Sequence, residues 1–152
     1  MIYGFFEEVA QRYKKVPYHH FTHGVWLLKM LYWILTRIEI SDFFEPIDLV
    51  GMLVAGVAHD LDHGGMNNSF LMRTNDPLSL IFNDHSVWEN YHASLLFQLL
   101  HNNPEVDILK NLSDKDQKYV RKLIVESILA TDMAVHFKLE KKFKDFVTET
   151  IS

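Results

Sequence analysis

The stretch "IDLVGMLVAGVAHDLDHGG", residues 47–65, places an almost wholly apolar run directly before two histidines and two aspartates that fall within five positions. Pro46 suits the first turn of a helix, and Asp48 suits the positive end of the helix dipole. Gly64 and Gly65 are expected to end the helix. Because the run is apolar nearly all round, the sequence predicts a central, buried helix with ionisable side chains at its C-terminal end.

The ionisable groups at this helix end indicate a metal site. Unpaired charges buried there would cost several kcal/mol. On a helix, His59 and His63 share a face, Asp60 lies about 100° round from His59, and Asp62 is expected to point outward. A divalent cation removes the cost, because neutral imidazole and carboxylate are its ligands and the ion supplies the countercharge. The alternative is a helix end where protonated histidine meets the dipole and the aspartates face water; the grouping favours metal.

The composition describes one soluble globular domain over residues 1–152. Of these residues, 48% are hydrophobic and 23% are charged, which argues against disorder. The net charge of -5 gives no electrostatic reason to expect a nucleic acid or an anionic membrane as a partner. The absence of cysteine excludes disulfides and thiolate metal sites and fits a cytoplasmic location. The longest candidate for a membrane span, residues 25–35, is too short and contains Lys29.

Four further helices are predicted from the spacing of apolar residues, and no strand is predicted. Their expected ranges are 5–15, 18–38, 87–101 and 113 onward, with a more polar continuation of the last through residue 150. Ser113 with Asp116 three residues later resembles a capping box at the start of that last helix. Residues 64–85 are expected to form a long connection with space for a helical turn. The predicted fold is a single, multi-helical, all-α domain.

Three of these other helices carry groups that are compatible with a metal site: His19 with His23, Glu89 with His92, and Thr131 with Asp132 in the middle of the last helix. Spacings of three or four residues place the members of the first two pairs on one helical face. Each pair alone is weak, because histidine pairs are more often packing and a mid-helix aspartate often faces solvent. Together, four helices bring such groups to what we expect to be one interior point.

The order and spacing of four motifs resemble the catalytic domain of class I cyclic nucleotide phosphodiesterases, members of the HD-domain superfamily. The motifs are "YHHFTHGVWLL", "VAHDLDHGGMNNSFL", "DPLSLIFNDHSVWENYH" and "ILATDMAVHF". The resemblance runs from about Phe5 to Phe137. It implies the all-helical fold of that family and a site for two divalent metal ions, zinc beside magnesium or manganese. It also implies hydrolysis of cAMP or cGMP to the 5′-nucleotide in signal transduction.

The resemblance also implies roles for individual residues. The general acid would be His19. The metal ligands would be His23, His59 and Asp60, with Asp60 shared by both ions. Groups that hold metal-bound waters or steer the ligands would be His63, Glu89, His92 and Thr131. The wall of the substrate pocket would include Asn67, Asp132 and Met133.

The implied chemistry suits these residue types. A phosphodiester anion repels nucleophiles, so two cations neutralise it and turn a bridging water into hydroxide near neutral pH. The departing 3′-oxygen is a poor leaving group unless it is protonated. Histidine is the side chain that titrates near neutral pH, and His19 is not needed as a ligand, so it is expected to donate that proton.

The sequence departs from the family pattern at three places. His20 stands where the family usually has asparagine, and Tyr91 stands where it has the first histidine of "ENHH". The family's catalytic domain also continues to a late aspartate ligand and a base-binding glutamine beyond the counterpart of Ser152. We therefore expect residues 1–152 to be the N-terminal portion of such a domain, with feeble activity or none alone. Apolar faces left uncovered on the second, third and fifth predicted helices would favour self-association.

Three alternative functions remain open at this point. Another HD-superfamily hydrolase that acts on different nucleotides would share the His-Asp pair but not the flanking motifs. A di-iron carboxylate protein should carry two Glu-x-x-His motifs, whereas this chain has one. A non-catalytic, metal-binding helical module would keep the fold without turnover. The sequence does not distinguish cAMP from cGMP as the substrate.

Overall fold

The structure, a computed structural model, describes residues 1–37 and 40–151, and over these residues it is entirely helical. In chain order the α-helices are α1 (Ile2–Arg12), α2 (Phe21–Arg37), α3 (Pro46–Ala58), α4 (Asn68–Arg73), α5 (Pro77–Ile81), α6 (Val87–Asn102), α7 (Asp114–Leu129) and α8 (Met133–Ile151). A short 3₁₀ helix, Ile40–Phe43, precedes α3. The predicted all-α fold class is confirmed. Within the described ranges no helix combines the length and the hydropathy needed to cross a membrane.

Helix α3 is the centre of the fold, as predicted. It packs against α2 on one side and α7 on the other, while α6 packs against α7. Two glycines permit the close approach: a Cβ atom at Gly51 would lie 2.8 Å from a methyl of Leu123, and one at Gly56 would lie 2.6 Å from a methyl of Leu31. Every residue from Val54 to Ala58 is buried. The polar side chains that follow α3 are therefore held at the edge of a packed core.

The predicted end of α3 is wrong, because the helix stops at Ala58 rather than at the glycine pair. Residues 59–62 form a turn in which Asp62 adopts a left-handed backbone conformation, with φ of 60°. An α-helix cannot continue through such a residue. His59 and His63 consequently do not share a helical face, although both side chains line the same cleft.

Other element boundaries also differ from the predictions. Helix α1 lies three residues earlier than expected, and α2 begins at Phe21 rather than residue 18, so His19 lies in the bend before it. The predicted end of that helix, residue 38, lies outside the described residues. The connection at 64–85 contains α4 and α5, each begun by a side-chain cap, from Asn67 and Asp76 respectively. The predicted range of α6 agrees with the structure to within one residue.

The predicted fifth helix is two helices. Ser113 caps α7 as expected, through a hydrogen bond that its hydroxyl accepts from the Asp116 amide. The chain then turns at residues 130–132, and Asp132 begins α8 by accepting a hydrogen bond from the backbone N–H of Ala134. Thr131 and Asp132 therefore lie at a junction between helices and not in the middle of one.

Exposed large apolar side chains are most numerous on two helices of the described part of the chain. On α2 they are Trp26, Met30, Tyr32 and Trp33, and on α8 they are Met133, Phe137, Leu139, Phe143 and Phe146. The apolar surface that the sequence predicted to be uncovered thus lies mainly on α2 and α8, while α3 exposes Val50. Self-association through these faces stays a prediction.

Candidate metal centre

Three of the predicted ligands meet at one point. His23 comes from the first turn of α2, and His59 and Asp60 follow α3 directly. One ligand atom from each lies within 4.8 Å of the others, and this is the one such group of histidine, aspartate or glutamate side chains among the described residues. Asp60 Oδ2 lies 3.2 Å from His59 Nε2 and 3.5 Å from His23 Nε2.

The donor set at this point fits a divalent cation. Asp60 Oδ2 and His92 Nε2 are buried and have no hydrogen-bond partner among the residues that the structure describes. Buried polar atoms are normally paired, so two unpaired ones at a single point call for a ligand. Two imidazole nitrogens and a carboxylate oxygen are the usual protein ligands of zinc at catalytic sites.

Hydrogen bonds fix which ring nitrogen each histidine presents. His59 Nδ1 donates to the carbonyl of Gly56 at 2.9 Å, and His92 Nδ1 donates to the carbonyl of Leu61 at 2.5 Å. A neutral imidazole carries one N–H, so each ring keeps a lone pair on Nε2. The Nε2 of His92 lies 4.0 Å from Asp60 Oδ1. In their neutral form both rings therefore present acceptor nitrogens to Asp60, and this is the form that binds a cation.

Burial and mutual proximity shift the titration of these groups. Burial lowers the pKa of His92 to about 3, and burial with the nearby His19 lowers the pKa of His63 to about 4. Burial also lowers the pKa of His23, with His59 as a further cause. For Asp60 burial acts upward, but the neighbouring His59 outweighs it and lowers the pKa to about 2. For His59 burial acts downward, but the proximity of Asp60 outweighs it and raises the pKa. At neutral pH Asp60 is thus an anion, and burial favours the neutral form of its neighbours His23, His63 and His92.

Side chains from several segments donate hydrogen bonds to carbonyl groups in the last turn of α3 and in the turn that follows it. His59 donates to Gly56, Tyr13 to Val57, His92 to Leu61 and Lys14 to Asp62. The turn's own amides complete the set, since Leu61 N–H donates to Ala58 and His63 N–H donates to Asp60. Because hydrogen bonds from within and from other segments occupy these carbonyl groups, the end of α3 and the turn are held in one arrangement, and the ligand side chains are preorganised.

All eleven residues singled out from the sequence line one open cleft of about 1090 Å³. They are His19, His23, His59, Asp60, His63, Asn67, Glu89, His92, Thr131, Asp132 and Met133. The His19 ring stacks on the His63 ring with centroids 3.8 Å apart, and His63 stacks in turn on Trp88 at 4.6 Å. The prediction that four helices bring these groups to one place agrees with this cleft.

The residues around the candidate ligands form hydrogen bonds with one another and with nearby backbone groups. Glu89 Oε2 accepts a hydrogen bond from Asn68 Nδ2 at 2.9 Å, and burial raises the pKa of Glu89. Asn68 Oδ1 also accepts from the backbone N–H of Trp88. His63 Nδ1 accepts from the backbone N–H of Gly65, so its neutral ring carries the hydrogen on Nε2 and can donate.

At the far wall of the cleft, several predicted residues are already engaged. Asp132 accepts from the hydroxyl of Ser86 at 2.7 Å as well as from Ala134, so both of its oxygens are used. The Thr131 hydroxyl donates to the carbonyl of Ile128 at 2.7 Å. Met133 is exposed. These residues shape the wall, and no hydrogen bond in the described part ties them to the candidate ligands.

Several residues of the site were not predicted from the sequence. Trp88 immediately precedes Glu89, and Asn68 is the second residue of the "NN" pair, so both lie inside the family motifs, where they had no assigned role. The expectation that Asp62 points outward is wrong: its side chain accepts from Tyr91 Oη at 2.8 Å and pairs with Lys14 Nζ at 3.0 Å. Lys14 lies outside the motifs, and no sequence signal marked it.

Comparison with known proteins gives three findings. The sequence model for "3'5'-cyclic nucleotide phosphodiesterase" matches residues 18–152. The chain is 40% identical over 144 residues to "Dual 3',5'-cyclic-AMP and -GMP phosphodiesterase beta" of Plasmodium falciparum, covering 95% of this chain and 13% of that protein. It is 34% identical over 143 residues to human "High affinity cAMP-specific and IBMX-insensitive 3',5'-cyclic phosphodiesterase 8A", covering 94% of this chain and 17% of that protein.

Among solved structures, the phosphodiesterase domain of the Salpingoeca rosetta rhodopsin phosphodiesterase superposes with a TM-score of 0.91 at 34% identity. The alignment covers 95% of this chain and 43% of that domain. The predicted fold type is therefore confirmed. The chain spans less than half of the solved domain and less than a fifth of the two curated relatives.

Proposed function

The chain belongs to the 3′,5′-cyclic nucleotide phosphodiesterase family, and on that premise we propose that it supplies the metal-binding part of a domain that hydrolyses cAMP, cGMP or both to the 5′-nucleotide. One observation carries the proposal: His23, His59 and Asp60 meet at the floor of a cleft that all the other predicted site residues line. The family implies the use of divalent metal. The cytoplasmic location stays a prediction.

The residues of the site would hold two ions. His23, His59 and Asp60 offer two nitrogens and one oxygen, a set suited to zinc, and Asp60 would also help to hold a second ion, magnesium or manganese. When bound, the ions supply the positive charge that a phosphodiester anion requires before a nucleophile can approach it. The unpaired Asp60 Oδ2 and the preset His59 tautomer support this assignment.

His19 is the proposed general acid, which donates a proton to the departing 3′-oxygen. It lies in the same cleft but outside the group of candidate ligands, and its ring is held against His63. A proton donor must keep its ring nitrogen free of metal, so this separation supports the role. Protonation of the leaving oxygen turns a poor leaving group into an alcohol.

His92 and His63 are proposed to orient water and substrate around the ligands. Because burial keeps His92 neutral, its Nε2 accepts a hydrogen bond and does not donate one. His63 has the opposite polarity, since its Nδ1 is occupied by Gly65 and its Nε2 carries the hydrogen. One acceptor and one donor beside Trp88 can fix the orientation of a single polar group between the two imidazoles.

A chimaera tests the proposal. Residues 1–152 are joined to the remaining part of the Salpingoeca rosetta phosphodiesterase domain, and hydrolysis of cAMP and cGMP is measured for the chimaera and for the chain alone. We expect turnover by the chimaera that a chelator abolishes and zinc with magnesium or manganese restores, and feeble turnover or none by the chain alone. A folded, zinc-loaded chimaera without turnover of either nucleotide would indicate a non-catalytic metal-binding module instead.

A further inference from the structure

Asp62 is held on three oxygens by two other segments of the chain. Lys14, in the connection after α1, places Nζ 3.0 Å from Asp62 Oδ1 and 3.1 Å from the Asp62 carbonyl oxygen. Tyr91, on α6, donates its hydroxyl to Asp62 Oδ2 at 2.8 Å. We call Lys14, Asp62 and Tyr91 the Asp62 clasp.

The clasp lies at a turn with an unfavourable backbone conformation. Asp62 has φ of 60°, in the left-handed region. Aspartate adopts this conformation more readily than most residues, but it is still less favourable than a right-handed one. The same turn carries His59 and Asp60, and its closing hydrogen bond runs from His63 N–H to the Asp60 carbonyl at 3.1 Å. If Asp62 were released, the backbone on both sides of it could move, and Asp60 lies only two residues away.

The clasp differs from an ordinary surface ion pair in two respects. The Asp62 side chain is only 29% exposed, and both of its oxygens and its carbonyl are engaged at once. The motifs shared with the family also do not account for the two partners of Asp62. Lys14 precedes residues 18–152, the range that the sequence model of the family matches, and Tyr91 stands at the position where the family pattern has histidine.

We propose that the Asp62 clasp positions the metal ligands: Lys14 and Tyr91 hold the left-handed turn so that the ligand atoms of His59 and Asp60 stay together before a cation binds. Lys14 and Tyr91 are thus positioning residues, and neither contacts the metal or the substrate. This inference rests on the proposed metal site, although it does not require that the protein hydrolyse cyclic nucleotides.

Zinc affinity of the 152-residue protein tests the inference. Tyr91→Phe removes only the hydroxyl, and Lys14→Met removes the charge while keeping the aliphatic stem. Affinity is measured by competition with a chromophoric chelator. We expect each substitution to weaken zinc binding about tenfold, as for loss of groups that orient metal ligands. The double variant should lose less than the product of the two, because both act on Asp62. Lys14→Arg should recover most of the affinity.

Tyr119→Phe is the matched control, because it also removes a tyrosine hydroxyl that donates to an aspartate, here Asp48 at the start of α3. It should leave zinc affinity within about twofold of the unsubstituted protein. Hydrogen exchange of the metal-free proteins gives a second readout: the amides of Leu61 and His63 should exchange about tenfold faster in Tyr91→Phe and unchanged in Tyr119→Phe.

Two results would overturn the inference. Zinc affinity that is the same in Tyr91→Phe, Lys14→Met and the control would show that the clasp does not position the ligands, even if the turn amides exchange faster. Zinc loss that follows a general loss of helicity in the circular dichroism of both variants would show a role in folding only. If the substitutions weaken zinc binding as expected but the chimaera shows no turnover, the inference about the clasp holds and the proposed function is contradicted.

Discussion

Asp60 Oδ2 lies 3.2 Å from Nε2 of His59, although the two residues are adjacent in the chain. Both residues directly follow Ala58, the last residue of α3, and His59 keeps a right-handed helical backbone conformation. The imidazole and the carboxylate therefore meet at the C-terminal end of the central helix. The physical consequences of that arrangement can be measured.

Asp60→Ala should remove the metal site. Asp60 is the one anion in the ligand group, and the resemblance implies that it serves both ions, so we expect the second ion to be lost entirely and zinc to bind at least about a hundredfold more weakly. Metal content after dialysis, measured by elemental analysis, checks this. Asp145→Ala, on the exposed face of α8, is the control and should retain wild-type metal content.

His19→Asn should separate metal binding from catalysis. In the chimaera we expect zinc content close to that of the unsubstituted protein and a hydrolysis rate reduced by roughly a hundredfold or more, as for loss of a general acid. His20→Asn is the matched control, since it changes the neighbouring histidine to the same residue, and its rate should stay within a few fold. Loss of zinc in His19→Asn would make His19 a ligand and contradict its assignment.

The metal-free protein should lose stability in acid because of His92. Its pKa is lowered to about 3 in the folded protein, whereas an unfolded histidine titrates near 6.5. Between these values the unfolded state binds the extra proton, so the contribution of neutral His92 is complete above about pH 6.5 and is lost as pH falls.

Urea denaturation in the presence of a chelator measures this effect against His92→Gln, which has no titrating ring. Between about pH 6 and pH 4 the unsubstituted protein should lose up to about 1.4 kcal/mol per pH unit more than the variant. Parallel pH profiles for the two proteins would show that His92 is protonated in the folded state and would contradict its role as a neutral acceptor.

Tyr13→Phe should destabilise the fold more than Tyr119→Phe does. Tyr13 is buried and donates to the carbonyl of Val57 at 2.9 Å, so its removal leaves a buried acceptor unpaired at a cost of about 1–3 kcal/mol. The Tyr119 hydroxyl is exposed, so its loss should leave the free energy of unfolding close to that of the unsubstituted protein. Equal effects in urea denaturation would mean that Tyr13 does not hold the end of α3.

The sequence predicted the central helix better than it predicted the helix boundaries. The run from Val54 to Ala58 is apolar on every side, and only burial satisfies such a helix, so its central place could be foreseen. A metal site at His59 and Asp60 could also be foreseen, because charges buried at a helix end are costly unless a cation binds between them. That His23 joins them was implied by the family resemblance and not by the physical argument.

The boundaries and supporting contacts could not be foreseen, for a physical reason. The turn after α3 contains the left-handed Asp62, which is contacted by Lys14 and Tyr91 from distant parts of the chain. The turn before α8 likewise contains Asp132, which accepts a hydrogen bond from the distant Ser86. Such tertiary hydrogen bonds do not alter the spacing of apolar residues in the sequence. The spacing therefore predicted a third and a fifth helix that are longer than α3 and α7.

The central claim is that His23, His59 and Asp60 hold a divalent cation in this cleft. Anomalous diffraction at the zinc absorption edge from crystals grown with zinc tests it most directly. The account predicts the strongest anomalous peak within coordination distance of His23 Nε2, His59 Nε2 and an Asp60 carboxylate oxygen. A strongest peak at any other group of side chains, or zinc in the cleft coordinated by His19, would contradict it.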